Sequence, residues 1–295
     1  INDADLSGGA LTGTNDSDET FEISTAASAV NVNGIAFTSV ALIDAGADST
    51  GDVVTTTELV NADLTANANE LVASTINFSN INDADLSGGA LTGTNDNDET
   101  FSISTAANAV SVNSIDFTSV AAINAGTSTG DAVTTTETVD ADLTANGNEL
   151  VASTINFSNI NDADLSGGAL TGTDTNDETF EIDTTNNAVN VNDIDFTSVA
   201  SINAGTSSGD AVTTTETVNA DLTANGNELV ASTINFSNIN DADLSGGALT
   251  GTNDNDETFE IDTTDNAVNV NAIDFTSVAS INAGTSTGDA ITTTE

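Results

Sequence analysis

Acidic clusters with alternating oxygen side chains are the groups in this sequence whose type and spacing suggest chemistry. One cluster runs from Asn95 to Glu99 just after Gly93, and near-copies begin at Asn15, Asp174 and Asn253. Carboxylate and amide oxygens that alternate at a turn can wrap a calcium ion, which takes about six to eight oxygen ligands. The candidate calcium ligands are Asp16, Asp18, Glu19, Asp96, Asp98, Glu99, Asp174, Asp177, Glu178, Asp254, Asp256 and Glu257. The alternative is a solvated turn at each cluster.

The composition makes calcium the one cofactor that we expect. The 295 residues include 47 Asp plus Glu and no Lys, Arg or His, for a formal charge of -47. Zinc, haem and iron-sulfur sites need Cys or His, and both are absent. Nucleic-acid binding is excluded because no cationic side chain can contact phosphate. Neutralising charge must therefore come from outside the chain.

Paired carboxylates also raise the question of catalysis. Asp83 and Asp85 are two residues apart, and the pair recurs at Asp162 and at Asp241. Two carboxylates can hydrolyse glycosides, but such a site needs a unique concave setting. A pair copied along the chain supplies none, so we expect that the protein is not an enzyme and that these residues form a charged face.

Internal repeats organise the whole chain. The string INDADLSGGALTGT begins at Ile1, Ile81, Ile160 and Ile239. The repeats are residues 1–80, 81–159, 160–238 and an incomplete 239–295. A weaker motif, Ile-x-Phe-Ser/Thr, divides each repeat into halves of about 40 residues, too few for a self-sufficient core, which favours stacked units in one continuous solenoid.

Local patterns are those of β-structure. Segments such as Phe180–Ile182 and Ala188–Val191 alternate apolar with polar residues, and clusters of Asn, Asp, Gly and Ser separate them. The Ile and Phe positions are expected in the core, whereas an outward Phe78 would form a stripe for lateral assembly. The sequence predicts an all-β chain.

Two family resemblances refine this prediction. Leu71, Ile76, Ile81, Leu86 and Leu91 recur every fifth residue, which resembles the pentapeptide-repeat family. That resemblance implies a right-handed parallel β-solenoid, or β-helix, with stacked turns of about 20 residues inside the repeats of about 40 and 80 residues.

The second resemblance covers more of the chain. The segments 91–101, 112–120 and 123–126 recur in the repeats and resemble the degenerate RTX-flanking repeats, or β-strand repeats, of large bacterial surface proteins of the cyanobacterial type. The strict Gly-Gly-x-Gly-x-Asp calcium motif is absent. The resemblance implies an extracellular, cell-surface segment of a filament, surface layer (S-layer) or adhesin stalk, acting as a stiff acidic cation-binding rod. The alternative is a tandem array of calcium-stiffened β-sandwich extender domains in a large adhesin.

The expected partners follow from this interpretation. Both terminal repeats look like interior ones, so we expect either further repeats beyond the ends or self-association, end to end or laterally, into fibres. Cell-surface glycans are a further candidate partner. No membrane insertion of this segment is expected, because its longest aliphatic run is Val40–Ile43.

Overall fold

A computed structural model describes residues 1–26, 28–47, 51–106, 108–184, 188–263 and 267–294. All regular structure in these ranges is β-strand. None of the ranges contains a helix that is long and apolar enough to span a membrane. In chain order the strands are β1 (Asp3–Thr12), β2 (Thr20–Ile23), β3 (Val30–Val32), β4 (Ile35–Asp44), β5 (Val53–Thr56), β6 (Ala62–Leu64), β7 (Glu70–Ala73), β8 (Ile76–Ser79), β9 (Asp83–Asp85), β10 (Ala90–Thr92), β11 (Thr100–Ile103), β12 (Val110–Val112), β13 (Ile115–Thr118), β14 (Ala122–Asn124), β15 (Ala132–Thr135), β16 (Ala141–Leu143), β17 (Glu149–Ala152), β18 (Ile155–Ser158), β19 (Asp162–Asp164), β20 (Ala169–Thr171), β21 (Thr179–Asp183), β22 (Ala188–Val191), β23 (Ile194–Thr197), β24 (Ser201–Asn203), β25 (Ala211–Thr214), β26 (Ala220–Leu222), β27 (Glu228–Ala231), β28 (Ile234–Ser237), β29 (Asp241–Asp243), β30 (Ala248–Thr250), β31 (Thr258–Asp262), β32 (Ala267–Val270), β33 (Ile273–Thr276), β34 (Ser280–Asn282) and β35 (Ala290–Thr294).

The chain divides into two compact units. Unit 1 comprises Ile1–Thr136 and Val151–Asn161, and unit 2 comprises Glu137–Leu150 and Asp162–Glu295. Each unit is a parallel β-solenoid with two sheets, which confirms the predicted all-β solenoid. Outside the meanders described below, the chain alternates between the sheets: a short strand of one sheet is followed by a turn and then by a strand of the other sheet.

Unit 1 has two sheets that share their first two strands. Sheet 1 has the spatial order β1-β4-β3-β2-β5-β9-β13-β12-β11-β15. Sheet 2 has the order β1-β4-β8-β7-β6-β10-β14-β18, because β1 and β4 are long enough to enter both sheets.

Unit 2 repeats this plan. Its sheet 1 has the order β19-β23-β22-β21-β25-β29-β33-β32-β31-β35. Its sheet 2 has the order β16-β20-β24-β28-β27-β26-β30-β34.

Antiparallel meanders interrupt the parallel stacking at regular intervals. In each meander one reversed strand lies between two strands of the opposite direction, as β12 lies between β11 and β13, and a two-residue turn joins the reversed strand to the strand that follows it. Successive meanders alternate between sheet 1 and sheet 2, which explains why each sequence repeat divides into two related halves. Parallel partners, such as Ala62 with Leu91 and Leu42 with Asn77, are accordingly farther apart in sequence than the length of about 20 residues per solenoid turn that the pentapeptide resemblance implies. The interval is longer because the meander takes up chain before the next parallel strand.

The core lies between the two sheets, where the inward residues of each strand meet. Phe21 of sheet 1 packs edge-to-face on Phe78 of sheet 2, with ring centroids 6.3 Å apart. In unit 2 Phe180 and Phe236 pack in the same way at 6.4 Å. Phe78 is 1% exposed, so it is a core residue and not part of a lateral stripe. Burying an aromatic side chain contributes roughly 2 to 3 kcal/mol, so these pairs hold the sheets together.

Strand pairing crosses the repeat boundaries inside each unit. In unit 1, β6 of residues 1–80 pairs with β10 of residues 81–159. In unit 2, β25 of residues 160–238 pairs with β29 of residues 239–295. Tandem sandwich domains would each close their own core, so this shared pairing favours a solenoid over separate extender domains.

Candidate functional site

The predicted acidic turns do not present their carboxylates as one group. Asp96 is exposed on the turn, whereas Glu99 is 2% exposed and lies directly before β11. The carboxylate of Asp98 lies against Gly130, leaving 2.7 Å between its Oδ2 and the point where a Cβ of residue 130 would stand. In unit 2 the corresponding Asp177 accepts a hydrogen bond from Gly209 N at 3.1 Å.

The same division holds in all four copies. The aspartates of the turns are exposed, and the glutamates are buried. The exposed candidate residues are Asp16, Asp18, Asp96, Asp98, Asp174, Asp177, Asp254 and Asp256, and the buried ones are Glu19, Glu99, Glu178 and Glu257. Among the described residues, no three Asp or Glu side chains are arranged to hold a metal ion together.

The buried glutamate is held by a threonine at the start of the turn. Glu99 Oε2 accepts from Thr94 N at 3.0 Å, and Oε1 accepts from Thr94 Oγ1 at 2.6 Å. The backbone N of Glu99 donates to Asp131 Oδ1 at 2.8 Å. Asp131 is itself 0% exposed and accepts from Ser128 Oγ at 2.9 Å. Each copy thus places a Glu beside an Asp from the next parallel strand.

A third polar residue extends this pair to the following strand. Thr179 pairs with Ala211, and Ala211 pairs with Asp241, so the residues one position earlier are stacked in register. We call each such set a polar ladder. The three polar ladders are Glu19-Asp52-Asn82 and Glu99-Asp131-Asn161 in unit 1, and Glu178-Asp210-Asn240 in unit 2. Backbone contacts join the second and third members, as Asn161 N donates to Asp131 O at 2.9 Å.

Burial shifts the pKa of three acidic residues in the polar ladders, Glu99, Asp131 and Glu178. Burial raises the pKa of Glu99; its hydrogen bonds from Thr94 oppose that rise, and the charge of Asp131 adds to it. Burial also raises the pKa of Asp131, partly opposed by donors on Glu99 and Ser128, while Asp98 raises it further. In unit 2 burial likewise raises the pKa of Glu178. The ionised pair is costly because the chain has no basic side chain to compensate it.

The sequence interpretation missed the Asp and Asn members of the polar ladders. Asp131 and Asn161 each precede a later strand and are far from Glu99 in sequence. The alternation of inward and outward residues could have identified them. Asp131 lies two positions before the inward Val133, so both side chains are on the inward face. The recurrence of Gly-Asp before each such strand was visible, but the partner strand was not.

The Asp83/Asp85 pair is arranged for structure. Asp85 Oδ1 accepts from Ser87 N at 2.9 Å, which caps the tight turn after β9. Asp83 lies beside Asp116 on the outer face of sheet 1, and burial, with the charge of Asp116, raises the pKa of Asp83. The two members of the pair therefore serve different contacts.

An acidic groove covers the outer face of one meander in unit 2. It has a volume of about 790 Å³, and its lining includes Asp162, Glu181, Asp195 and Glu216. Asp162 and Asp195 are register partners in adjacent parallel strands. Burial and the charge of Asp195 raise the pKa of Asp162. This groove concentrates negative charge at the surface.

No protein-family model, curated protein or solved structure matches the chain.

Proposed function

We propose that this protein is a structural repeat segment of an extracellular bacterial surface filament, surface layer or adhesin stalk. The observation that carries the proposal is the strand pairing across repeat boundaries in each unit. A fold in which each repeat completes its neighbour can be lengthened by adding repeats, which suits a spacer. Its interior is a narrow apolar core, as in the edge-to-face Phe contacts between the sheets.

The surface chemistry supports the same proposal. A formal charge of -47 with no basic side chain keeps such a segment soluble and attracts cations from the medium. The aspartates of the acidic turns are exposed, and the groove of unit 2 adds further carboxylates outside the core. Self-association, end to end or laterally, and contact with cell-surface glycans belong to the proposal as partners. Catalysis does not, because the paired carboxylates serve separate structural contacts.

Electron microscopy of the full chain, with and without a calcium chelator, tests this function. We expect extended particles or continuous filaments with an axial repeat near 4.8 Å, about the spacing of hydrogen-bonded strands. Filaments that dissolve on chelation and re-form with added calcium would support cation-dependent assembly. Compact beads, one for each sequence repeat, would contradict the proposal and favour extender domains.

A matched protein sharpens the test. Deleting residues 160–238, one whole repeat, restores the same register of meanders and should shorten the particles without unfolding them. Deleting only 199–238 removes half a repeat and would put two successive meanders on the same side of the fold. We expect this second deletion to lower the melting temperature more than the first. Equal loss of structure in both proteins would contradict the solenoid-spacer argument.

A further inference from the structure

Buried oxygen atoms without hydrogen-bond partners recur at the polar ladders. Asp210 is 0% exposed, and its Oδ1 accepts from Glu178 N at 2.8 Å and from Ser207 Oγ at 2.9 Å. Its Oδ2 is buried and has no hydrogen-bond partner among the described residues. The amide Oδ1 of Asn240, the next member of the same polar ladder, is also buried and unpartnered there. Each such atom has lost its hydrogen bonds to water, which destabilises the fold if nothing binds it.

The pattern is repeated and is not an isolated defect. Asn82 Oδ1 and Asn161 Oδ1 are buried and unpartnered in the two polar ladders of unit 1. In the last repeat Glu257 Oε2 has the same property, at a glutamate that is 2% exposed. Each polar ladder therefore leaves at least one buried oxygen acceptor without a donor within the structure described, and so does the incomplete copy at Glu257.

A shared proton would not satisfy these atoms. One proton between Glu178 and Asp210 removes one charge, but it leaves a carboxylate charge and the Asn240 amide oxygen without a partner. The chain offers no Lys, Arg or His as a substitute. A divalent cation balances both carboxylates and accepts the amide oxygen as a further ligand.

We infer that each complete polar ladder binds one hard divalent cation, calcium in preference to magnesium. The ligand atoms are all oxygen, which favours a hard cation over zinc, whose structural sites use Cys and His. The ligands directly precede three stacked strands, whose pairing fixes the spacing of their backbones, and calcium tolerates such irregular geometry better than magnesium does. This inference deepens the cation-binding part of the proposed function and rests on that part alone. The ligands are the buried residues of the polar ladders, whereas the exposed aspartates of the turns attract cations without binding them specifically.

Isothermal titration calorimetry of the full chain with calcium chloride tests the assignment. After removal of metal by a chelator, the titration is carried out in about 0.15 M sodium chloride, which screens the exposed carboxylates. The three complete polar ladders predict three saturable sites. The fourth pair, Glu257 and Asp289, should bind more weakly, because Asp289 is partly exposed and the described residues provide no Asn after it.

Three isosteric variants test the assignment. Asp210→Asn should reduce the three sites to two, whereas Asp254→Asn, the same change at an exposed turn residue, should leave three. Asn240→Asp adds a carboxylate to the same polar ladder and should tighten one site by about tenfold. Far-UV circular dichroism in the presence of calcium checks that each variant is folded.

The outcomes separate this inference from the proposed function. The inference is supported by two sites in Asp210→Asn, three sites in Asp254→Asn and one tightened site in Asn240→Asp. No saturable binding, equal loss in Asp210→Asn and Asp254→Asn, or an unchanged affinity in Asn240→Asp would overturn it. Filaments that persist in the electron microscope after chelation would still support the structural role. The calorimetry would then decide separately whether the polar ladders bind calcium.

Discussion

Gly247 is a residue whose replacement by alanine should disrupt one turn of the solenoid. A Cβ built on Gly247 would stand 1.7 Å from the carbonyl oxygen of Val218, whereas ordinary contacts between carbon and oxygen need about 3.3 Å. The side chain cannot rotate away, because Cβ is fixed by the backbone. The two chain segments must therefore separate by more than about 1 Å.

The cost can be worked out from the bonds that this separation weakens. Gly247 N donates to Leu244 O at 3.0 Å, Val218 N donates to the same oxygen at 3.2 Å, and Ala279 N donates to Gly247 O at 2.9 Å. Loss of two or three such bonds, at about 1 kcal/mol each, together with overpacking, gives about 2 to 4 kcal/mol of destabilisation.

Gly226→Ala is the matched control. The nearest atom to its Cβ would be Asn271 O at 3.5 Å, an ordinary contact, and the backbone of Gly226 is outside the left-handed region. The first repeat already carries Ala68 at the corresponding position. We expect this control to change the free energy of unfolding by less than about 1 kcal/mol, with a gain from the stiffer unfolded chain.

Urea unfolding followed by far-UV circular dichroism measures both variants, since the chain has no Trp or Tyr for fluorescence. Gly247→Ala should lower the urea midpoint, and Gly226→Ala should leave it unchanged or raise it slightly. Equal midpoints for the two variants would refute the close approach of Gly247 to Val218.

Three further predictions concern the core, the surface charge and the buried glutamates, and two of them include a comparison variant. Phe236→Leu should cost about 0.5 to 1.5 kcal/mol more than Phe196→Leu in urea unfolding, because only the ring of Phe236 has an aromatic partner among the described residues; similar costs would argue against the edge-to-face contact. Asp195→Asn should raise the melting temperature by relieving repulsion with Asp162, and the gain should shrink in about 1 M salt; a gain that salt does not alter would contradict this electrostatic origin. Thr173→Val removes the hydroxyl that donates to a buried glutamate and should destabilise the fold by about 1 to 3 kcal/mol, whereas Thr173→Ser should restore most of it; equal stability of the two variants would contradict a role for the hydroxyl.

The solenoid could be predicted because its main signals are local. Alternation at period two decides which residues face inward, and residues such as Phe101 and Val133 are buried as that pattern requires. The long sequence repeat indicated stacked units, and the half-repeat indicated two related halves. Both signals can be read without knowing which strands pair.

The antiparallel meanders could not be predicted in the same way. At Asn33-Gly34 the turn has a recognised hairpin sequence, but at Ser74-Thr75 the same reversal is made with φ of 48° and 67° by residues that rarely adopt it. Reversal at Ser74-Thr75 is held by pairing on both sides, such as Ala73 with Ile76. Pairing across the sheet overrides the local preference of these two residues.

The candidate site likewise combines features that the sequence predicts with features that only the tertiary structure shows. The sequence by itself determined the charge and the recurrence of the acidic turns, because these depend on residue type and local spacing, but it placed Glu99 on a calcium-binding or solvated turn. Only the tertiary structure buried Glu99, brought Asp131 beside it and Asn161 beside Asp131, and left the neighbouring Asp96 at the surface. The physical reason is that register between parallel strands is set by hydrogen bonds joining residues that are distant in sequence, and no local pattern specifies which strand becomes the neighbour.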